Sequence, residues 1–308
     1  MPQICKVRAS AVILLFAGLA SALGGQNRSD TKELKSAIER AMQGRAGAAV
    51  VAEVSSGEIL AAHALDVAAH RLARPGSTVK PFVLMALLDS GRLQASERLV
   101  CRRPLRIGGV RMDCSHPEAI VDLDAEEAIA YSCNSYFAEA AARLGAGELT
   151  VALRRSGFDS PSGLVKDEVA GRIETPRDRA MLQLEALGDR GIEVTALELL
   201  ESYRKLASRK RNGLDARGRD AAVFAGLEQS VAYGMAHAAD LEDVKIAGKT
   251  GTAASRENAR THGFFVGYAP AEKPEMVVVV YLEQGNGGDA AGAARGIFAA
   301  AAKSGWVR

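Results

Sequence analysis

The chain has 308 residues, of which 48% are apolar and 25% charged, with a formal net charge of +2. That length makes one large domain or two small ones, and the composition is that of an ordinary globular protein. Nothing in the charge balance points to nucleic acid as a partner.

Lys6 and Arg8 precede an uncharged apolar run over 9–24, and Ala20-Ser21-Ala22 has the small-x-small pattern of a cleavage site. Residues 1–22 therefore read as a secretory signal peptide. The 16-residue run is short against the roughly 20 residues that span a bilayer, and an uncleaved anchor is the alternative. Both readings predict an exported protein, in the periplasm or on the outer face of the cytoplasmic membrane. No Cys closely follows the run, which argues against a lipoprotein.

Leu34, Ile38, Ala41 and Met42 recur at helical spacing and predict an amphipathic helix over 31–43. Strands are expected at 48–54 and 58–64, flanking a Ser55-Ser56-Gly57 turn. From about 77 to 237 the pattern is almost wholly helical. The basic run 208–220 is Gly-punctuated, lacks aromatics and reads as a solvated loop. Strands follow in "VKIAGKTGTA", "HGFFVGYAP" and "PEMVVVVYLEQ", and an Ala-rich helix over 290–303 closes the chain. The expected class is α+β. One antiparallel sheet is built from both chain ends and flanked by helices, with an all-helical second lobe. The globular part runs over 30–308, with the sheet lobe at about 30–70 and 238–308 and the helical lobe at about 71–237. A cleft between lobes is the default place for a site.

Gly248-Lys249-Thr250 looks like the end of a phosphate-binding loop, but that motif needs a Gly five positions before Gly248. Asp243 stands there, and the residues after Thr252 lead to a strand rather than a helix. Lys249-Thr250-Gly251 is therefore read as a strand motif. Its Gly gives room for another backbone, such as an extended peptide substrate, and Lys249 with the Thr hydroxyls suits a carboxylate. A strand edge carrying a solubilising Lys is the plainer reading.

Ser-x-x-Lys occurs three times, at Ser29–Lys32, Ser77–Lys80 and Ser202–Lys205. Only Ser77 follows a Pro75-Gly76 turn and opens a helix with an apolar body, Phe82 to Leu88. There Lys80 lies on the same face at i+3, and a lysine in an apolar place loses its proton easily and can deprotonate Ser77. Ser132-Cys133-Asn134 links two helical stretches. A short link of this kind aims residues i and i+2 together, although Ser and Asn are also common in ordinary loops.

Taken in order, S-x-x-K at a helix start, S-x-N in a link and K-T-G on a strand form a known signature of acylating serine enzymes. With "PGSTVKPF", "SCNSYF", "AGKTGTA", "FFVGYAP" and "LGDRGIEVTALELLESYRKLAS", the chain resembles the transpeptidase domain of penicillin-binding proteins from about residue 45 onward. It lacks the glycosyltransferase region and N-terminal pedestal of larger relatives. The resemblance implies Ser77 as the acylated nucleophile, Lys80 as its base and Ser132 as a proton relay. It implies Asn134 as holder of the substrate amide, and Lys249, Thr250 and Gly251, together with Thr252, at the substrate carboxylate. The amides of Ser77 and Thr252 would form the oxyanion hole. The implied partners are peptidoglycan stem peptides ending in D-Ala-D-Ala, β-lactams as covalent inhibitors, and proteins of cell-wall synthesis. A D,D-carboxypeptidase or a β-lactamase shares the motifs, and a non-catalytic peptidoglycan- or β-lactam-binding protein is the alternative from another class. The charged stretch 166–174 offers no recognisable deacylating glutamate. No cofactor is required for the chemistry.

Cys101, Cys114 and Cys133 remain after the signal peptide, an odd number for an exported chain. The stretch 101–116 reads as a hairpin turning at Gly108-Gly109. It brings Cys101 and Cys114 together beside His116, with Cys133 inside the S-x-N motif. Three thiolates and an imidazole form a tetrahedral structural zinc set. A Cys101–Cys114 disulfide, with Cys133 as a buried small hydrophobe, is the rival. Certain elongation-type transpeptidases resemble the zinc reading. Of the other histidines, His262 is expected near the cleft.

Overall fold

The computed structural model describes residues 31–213, 220–255 and 260–307. The expected signal peptide, and Ser29 of the first Ser-x-x-Lys, lie outside the described residues. Among the described residues no helix is long and apolar enough to cross a membrane.

One five-stranded antiparallel sheet organises the fold. Its order is Ile59–His63, Gly47–Glu53, Met276–Leu282, Thr261–Ala269, Ala247–Ala254, so both chain ends contribute. The first two strands turn at Gly57, which takes φ 78°, a conformation that costs glycine little. Met276–Leu282 reads MVVVVYL without polar alternation because both of its faces are buried. Met276, Val278 and Val280 meet Leu34, Ile38 and Met42 of the first helix (31–42) and Ile297 and Phe298 of the last, Gly287–Lys303. Val277, Val279 and Tyr281 meet the opposite core, which includes Leu199, Tyr203 and Leu206 of helix Ala196–Arg211. That helix extends into the expected basic loop as far as Arg211.

The middle of the chain is mostly helical, with three short ribbons that periodicity missed. They pair Leu99–Val100 with Asp122–Leu123, Arg106–Ile107 with Val110–Arg111, and Arg172–Ile173 with Ile192–Glu193. Two-residue strands are too short to show alternation. The second ribbon is the expected hairpin, turning through Gly108 and Gly109, both at positive φ.

Candidate active site

Ser77 does not open an α-helix. It lies in a 3-10 turn, Gly76–Val79, and the α-helix Lys80–Asp89 begins after it with Pro81 in its first turn. In 3-10 geometry residues i and i+3 eclipse, so Ser77 and Lys80 still share a side. Two bonds hold the turn: Thr78 Oγ1 donates to Pro75 O at 2.8 Å and the buried Tyr203 hydroxyl donates to Thr78 O at 2.8 Å. The helix behind is not buried all round. Phe82, Val83, Leu84 and Leu87 are buried, while Met85 and Ala86 line a cavity of about 790 Å³ on its far side. None of the motif residues lines that cavity.

The S-x-N motif sits between helices Ala125–Ala130 and Asn134–Ala141. Ser132 takes φ 53°, an uncommon strain for a non-glycine residue and one that recurs at functional sites. Lys80 Nζ donates to Ser132 O at 2.7 Å, Ser132 Oγ at 3.3 Å and Asn134 Oδ1 at 2.6 Å. It also stands 5.3 Å from the Phe137 ring centroid. Ser132 and Asn134 thus meet one amine. The Asn134 amide is committed to its own chain, because Nδ2 also donates to Met112 O at 3.0 Å and Asp113 O at 3.3 Å. These bonds tie Asn134 to Lys80 on one side and to the hairpin on the other.

Lys249-Thr250-Gly251 lies on the edge strand Ala247–Ala254. Gly251 and Gly76 allow close approach by the protein's own backbone. A Cβ on Gly251 would fall 2.3 Å from Pro75 O, and one on Gly76 would fall 2.8 Å from Thr252 N. The Ser77 turn is therefore pressed against the strand, with the amide of Thr252 next to residue 76. Lys80 and Lys249 are fully buried and Thr250 nearly so, Ser77, Ser132 and Asn134 are half-buried, and Thr252 is exposed. Thr252 Oγ1 accepts from Gly287 N–H at 2.9 Å. Hydroxyls thus face solvent with two lysines beneath them.

Burial pushes the Lys80 amine down to about 8, against the opposing pull of Cys133 and Cys114. Burial also pushes Lys249 well below the usual lysine range, and the charge of Lys80 adds to this. Two buried ammonium groups in one place are unfavourable, which is how a lysine becomes a base near neutral pH.

The four metal-candidate residues converge. The ligand atoms of Cys101, Cys114, His116 and Cys133 all lie within 4.8 Å of one another, and all four residues are buried. The cysteines are free, with Cys101 Sγ and Cys114 Sγ 3.6 Å apart, a separation that does not match the rival disulfide. The Cys133 thiol, hydrogen-bonded to Cys114, favours thiolate at Cys114 and is itself held as thiol. The third Ser-x-x-Lys is plain structure: Ser202 is buried and its hydroxyl donates to Ser156 O and Glu198 O. His262 lies next to the K-T-G strand, paired with Ala253, and its Nε2 donates to Arg74 O at 2.8 Å.

The chain matches the family described as "Penicillin binding protein transpeptidase domain" over residues 47–303. It belongs to that family. Among penicillin-binding protein transpeptidases, PbpA of Mycolicibacterium smegmatis, a peptidoglycan D,D-transpeptidase, is 28% identical over 265 residues, covering 73% of this chain and 52% of the relative. PenA of Neisseria gonorrhoeae, a probable peptidoglycan D,D-transpeptidase, is 28% identical over 300 residues, covering 82% of this chain and 50% of the relative. The chain spans about half the length of these relatives. The crystal structure of Pseudomonas aeruginosa PBP2 in complex with WCK 5153 matches with a TM-score of 0.76 at 25% identity, over 87% of this chain and 74% of that one. The D,D-transpeptidase domain of a peptidoglycan glycosyltransferase from Eggerthella lenta shares the fold, with a TM-score of 0.72 at 22% identity over 88% and 81% of the two chains. In this family no cofactor is needed for the chemistry.

Sequence reasoning missed two features. Tyr203, whose hydroxyl holds the Ser77 turn through Thr78 O, has no local signal of that role. Arg74 and Arg172, far apart in the chain, line one cavity beside that turn, and no local pattern announces this.

Proposed function

We propose that the protein is a serine-type D,D-transpeptidase acting on peptidoglycan stem peptides ending in D-Ala-D-Ala. One observation carries the reading: the buried Lys80 amine is bonded to both Ser132 and Asn134 while sharing a side with Ser77. Ser77 Oγ attacks the carbonyl of the penultimate D-Ala, and its proton passes to Lys80. The carbonyl oxygen becomes an oxyanion beside the amides of Ser77 and Thr252. As the tetrahedral centre collapses, the C–N bond breaks and Ser132 relays a proton to the leaving amine, releasing D-Ala. The amine of a second stem peptide then attacks the Ser77 ester, forms the new amide and restores the serine. Lys249 holds the terminal carboxylate with the hydroxyls of Thr250 and Thr252, and Gly251 gives the turn its place. A β-lactam enters by the same attack, its C–N bond opening but its leaving nitrogen staying tethered. The substrate polymer lies outside the cytoplasmic membrane, in keeping with an exported chain. Proteins of cell-wall synthesis are the natural partners.

A structural zinc held by Cys101, Cys114, His116 and Cys133 belongs to the same proposal. Tetrahedral thiolate ligation at ~2.3 Å predicts sulfur–sulfur edges of ~3.8 Å. The Cys101–Cys114 and Cys114–Cys133 edges are 3.6 and 3.7 Å, far beyond a disulfide's ~2.05 Å. His116 Nε2 lies 3.6 Å from Cys101 Sγ, while its Nδ1 lies 2.8 Å from Arg103 Nη2 and 3.0 Å from the Pro117 carbonyl. Such an ion would brace the Ser132–Asn134 link from behind and take no part in the reaction.

The test is intact-protein mass spectrometry after mixing with penicillin, followed by peptide mapping and by timing of release. A stoichiometric adduct on Ser77 that persists for minutes and is absent from Ser77→Ala is expected. An adduct on another serine, or none, sinks the assignment. Rapid turnover of nitrocefin makes the protein a β-lactamase instead.

A further inference from the structure

The chain leading into Ser77 borders two adjoining cavities of about 320 and 330 Å³ that share Arg74, Arg172 and Glu193 as walls. Arg71 and His262 complete the first and Arg190 extends the second, so four guanidinium groups line one trough. The acids along it are Glu193 and Glu174, with Asp189 near Arg74 and Arg190. Asp189 stands 3.9 Å from Arg74 and 3.7 Å from Arg190, distances beyond a good hydrogen bond. Arg172 is exposed and has no carboxylate partner among the described residues.

The trough is built on rigid backbone. Ala73 and Val194 exchange both of their N–H···O bonds, at 3.0 and 2.9 Å. Gly171 N–H donates to Glu198 Oε1 at 2.7 Å, which fixes the start of the Arg172 ribbon, and His262 pins the Arg74 carbonyl. Arg74 precedes Ser77 by three residues, so their Cα atoms are at most ~11 Å apart.

Direction follows from the edge strand. A substrate whose terminal carboxylate meets Lys249 and Thr250, and whose reacting carbonyl meets Ser77 and Thr252, runs along the strand toward Ser255. Ser255 lines the trough, three residues past Thr252, or ~10 Å at strand rise. That is the length of about three extended peptide residues.

We propose that this arginine trough is a subsite for a side-branch carboxylate of the donor peptide, within about three residues upstream of the penultimate D-Ala. The proposal rests on the D,D-transpeptidase reading and adds the substrate class: an acidic stem peptide rather than an amidated one. Charge-assisted bonds to a guanidinium are strong enough for about tenfold discrimination.

Two synthetic D-Ala-D-Ala peptides test it, identical except for a carboxylate or a carboxamide at that upstream position. A third carries the carboxylate far toward its N-terminus, to separate local recognition from bulk attraction. Acylation is read by competition with fluorescent penicillin. The wild-type protein should favour the upstream carboxylate about tenfold over both others, and the preference should shrink in 0.5 M salt. In Arg172→Gln the three peptides should react alike, and Arg190→Gln provides a second reading. Equal reactivity of the three peptides with wild type, or a preference surviving in both variants, overturns the subsite. Failure of penicillin to label the wild-type protein overturns the acyl-transfer reading itself.

Discussion

Asn134 Oδ1 accepts from Lys80 Nζ at 2.6 Å while its Nδ2 donates to Met112 O at 3.0 Å, so one side chain ties Lys80 to the cysteine hairpin. The oxygen must face the lysine, which has only donors. With burial holding Lys80 at about 8, the neutral, proton-accepting amine is a minor species below that pH and dominant above it. The rate constant for penicillin acylation should rise about tenfold per pH unit below 8 and flatten above. Asn134→Asp puts a carboxylate on the ammonium, favours its charged form and should shift the profile at least one unit to alkaline pH. A flat profile through this range, or an unshifted one in the variant, removes Lys80 as the base.

Gly251 marks where the Ser77 turn and the edge strand touch. A methyl there would sit 2.3 Å from Pro75 O, which real contacts never allow, and the obstacle is backbone. Gly251→Ala should push the turn from Thr252, lowering acylation about 100-fold and stability by ~2 kcal/mol. Denaturant unfolding and penicillin labelling measure the two losses. Full activity in this variant would mean that the turn and strand can separate without harm.

For the cysteine cluster we expect about one zinc per chain in protein purified without added metal, by elemental analysis. Denaturation in chelator should then release three titratable thiols from Cys101, Cys114 and Cys133. Metal removal should slow acylation by loosening Ser132 and Asn134 while leaving Ser77 able to react. A Cys101–Cys114 disulfide found by mapping rules the site out, because oxidised sulfurs cannot supply two thiolates.

Glu185 is a fully buried carboxyl on helix Arg179–Ala186, and neither oxygen has a hydrogen-bond partner among the described residues. Burial raises it from 4.5 to about 8, with Arg154 opposing and Glu174 adding. The folded state therefore binds this proton more tightly than the unfolded chain, and stability is lost as pH rises between those values. Glu185→Gln keeps the shape and removes the titration. It should be the more stable protein at pH 9, by on the order of 4 kcal/mol, and nearly equal to wild type at pH 5. Parallel melting curves across pH check it, and parallel pH dependence in the two proteins would show that the carboxyl is solvated.

Local pattern was enough for the elements that carry their own signal. The apolar runs around Val50 and Val279, the Gly57 turn and the helical spacing of Leu34, Ile38 and Met42 placed a sheet at both chain ends and a helical middle, because burial on one face or two writes a period into the sequence. The ordered motifs likewise singled out Ser77, Lys80, Ser132, Asn134, Lys249, Thr250, Gly251 and Thr252, since turn, helix-start and strand chemistry are local. Tertiary packing decided the rest. Whether Lys80 is buried against Asn134, whether Gly251 makes room for Pro75 or for a peptide, and whether three sulfurs and His116 meet at one point are facts about residues as much as 176 positions apart. So is the gathering of Arg74 and Arg172. Contacts of that range leave no period behind, because their energy depends on where the folded chain brings them and not on what stands beside them in sequence.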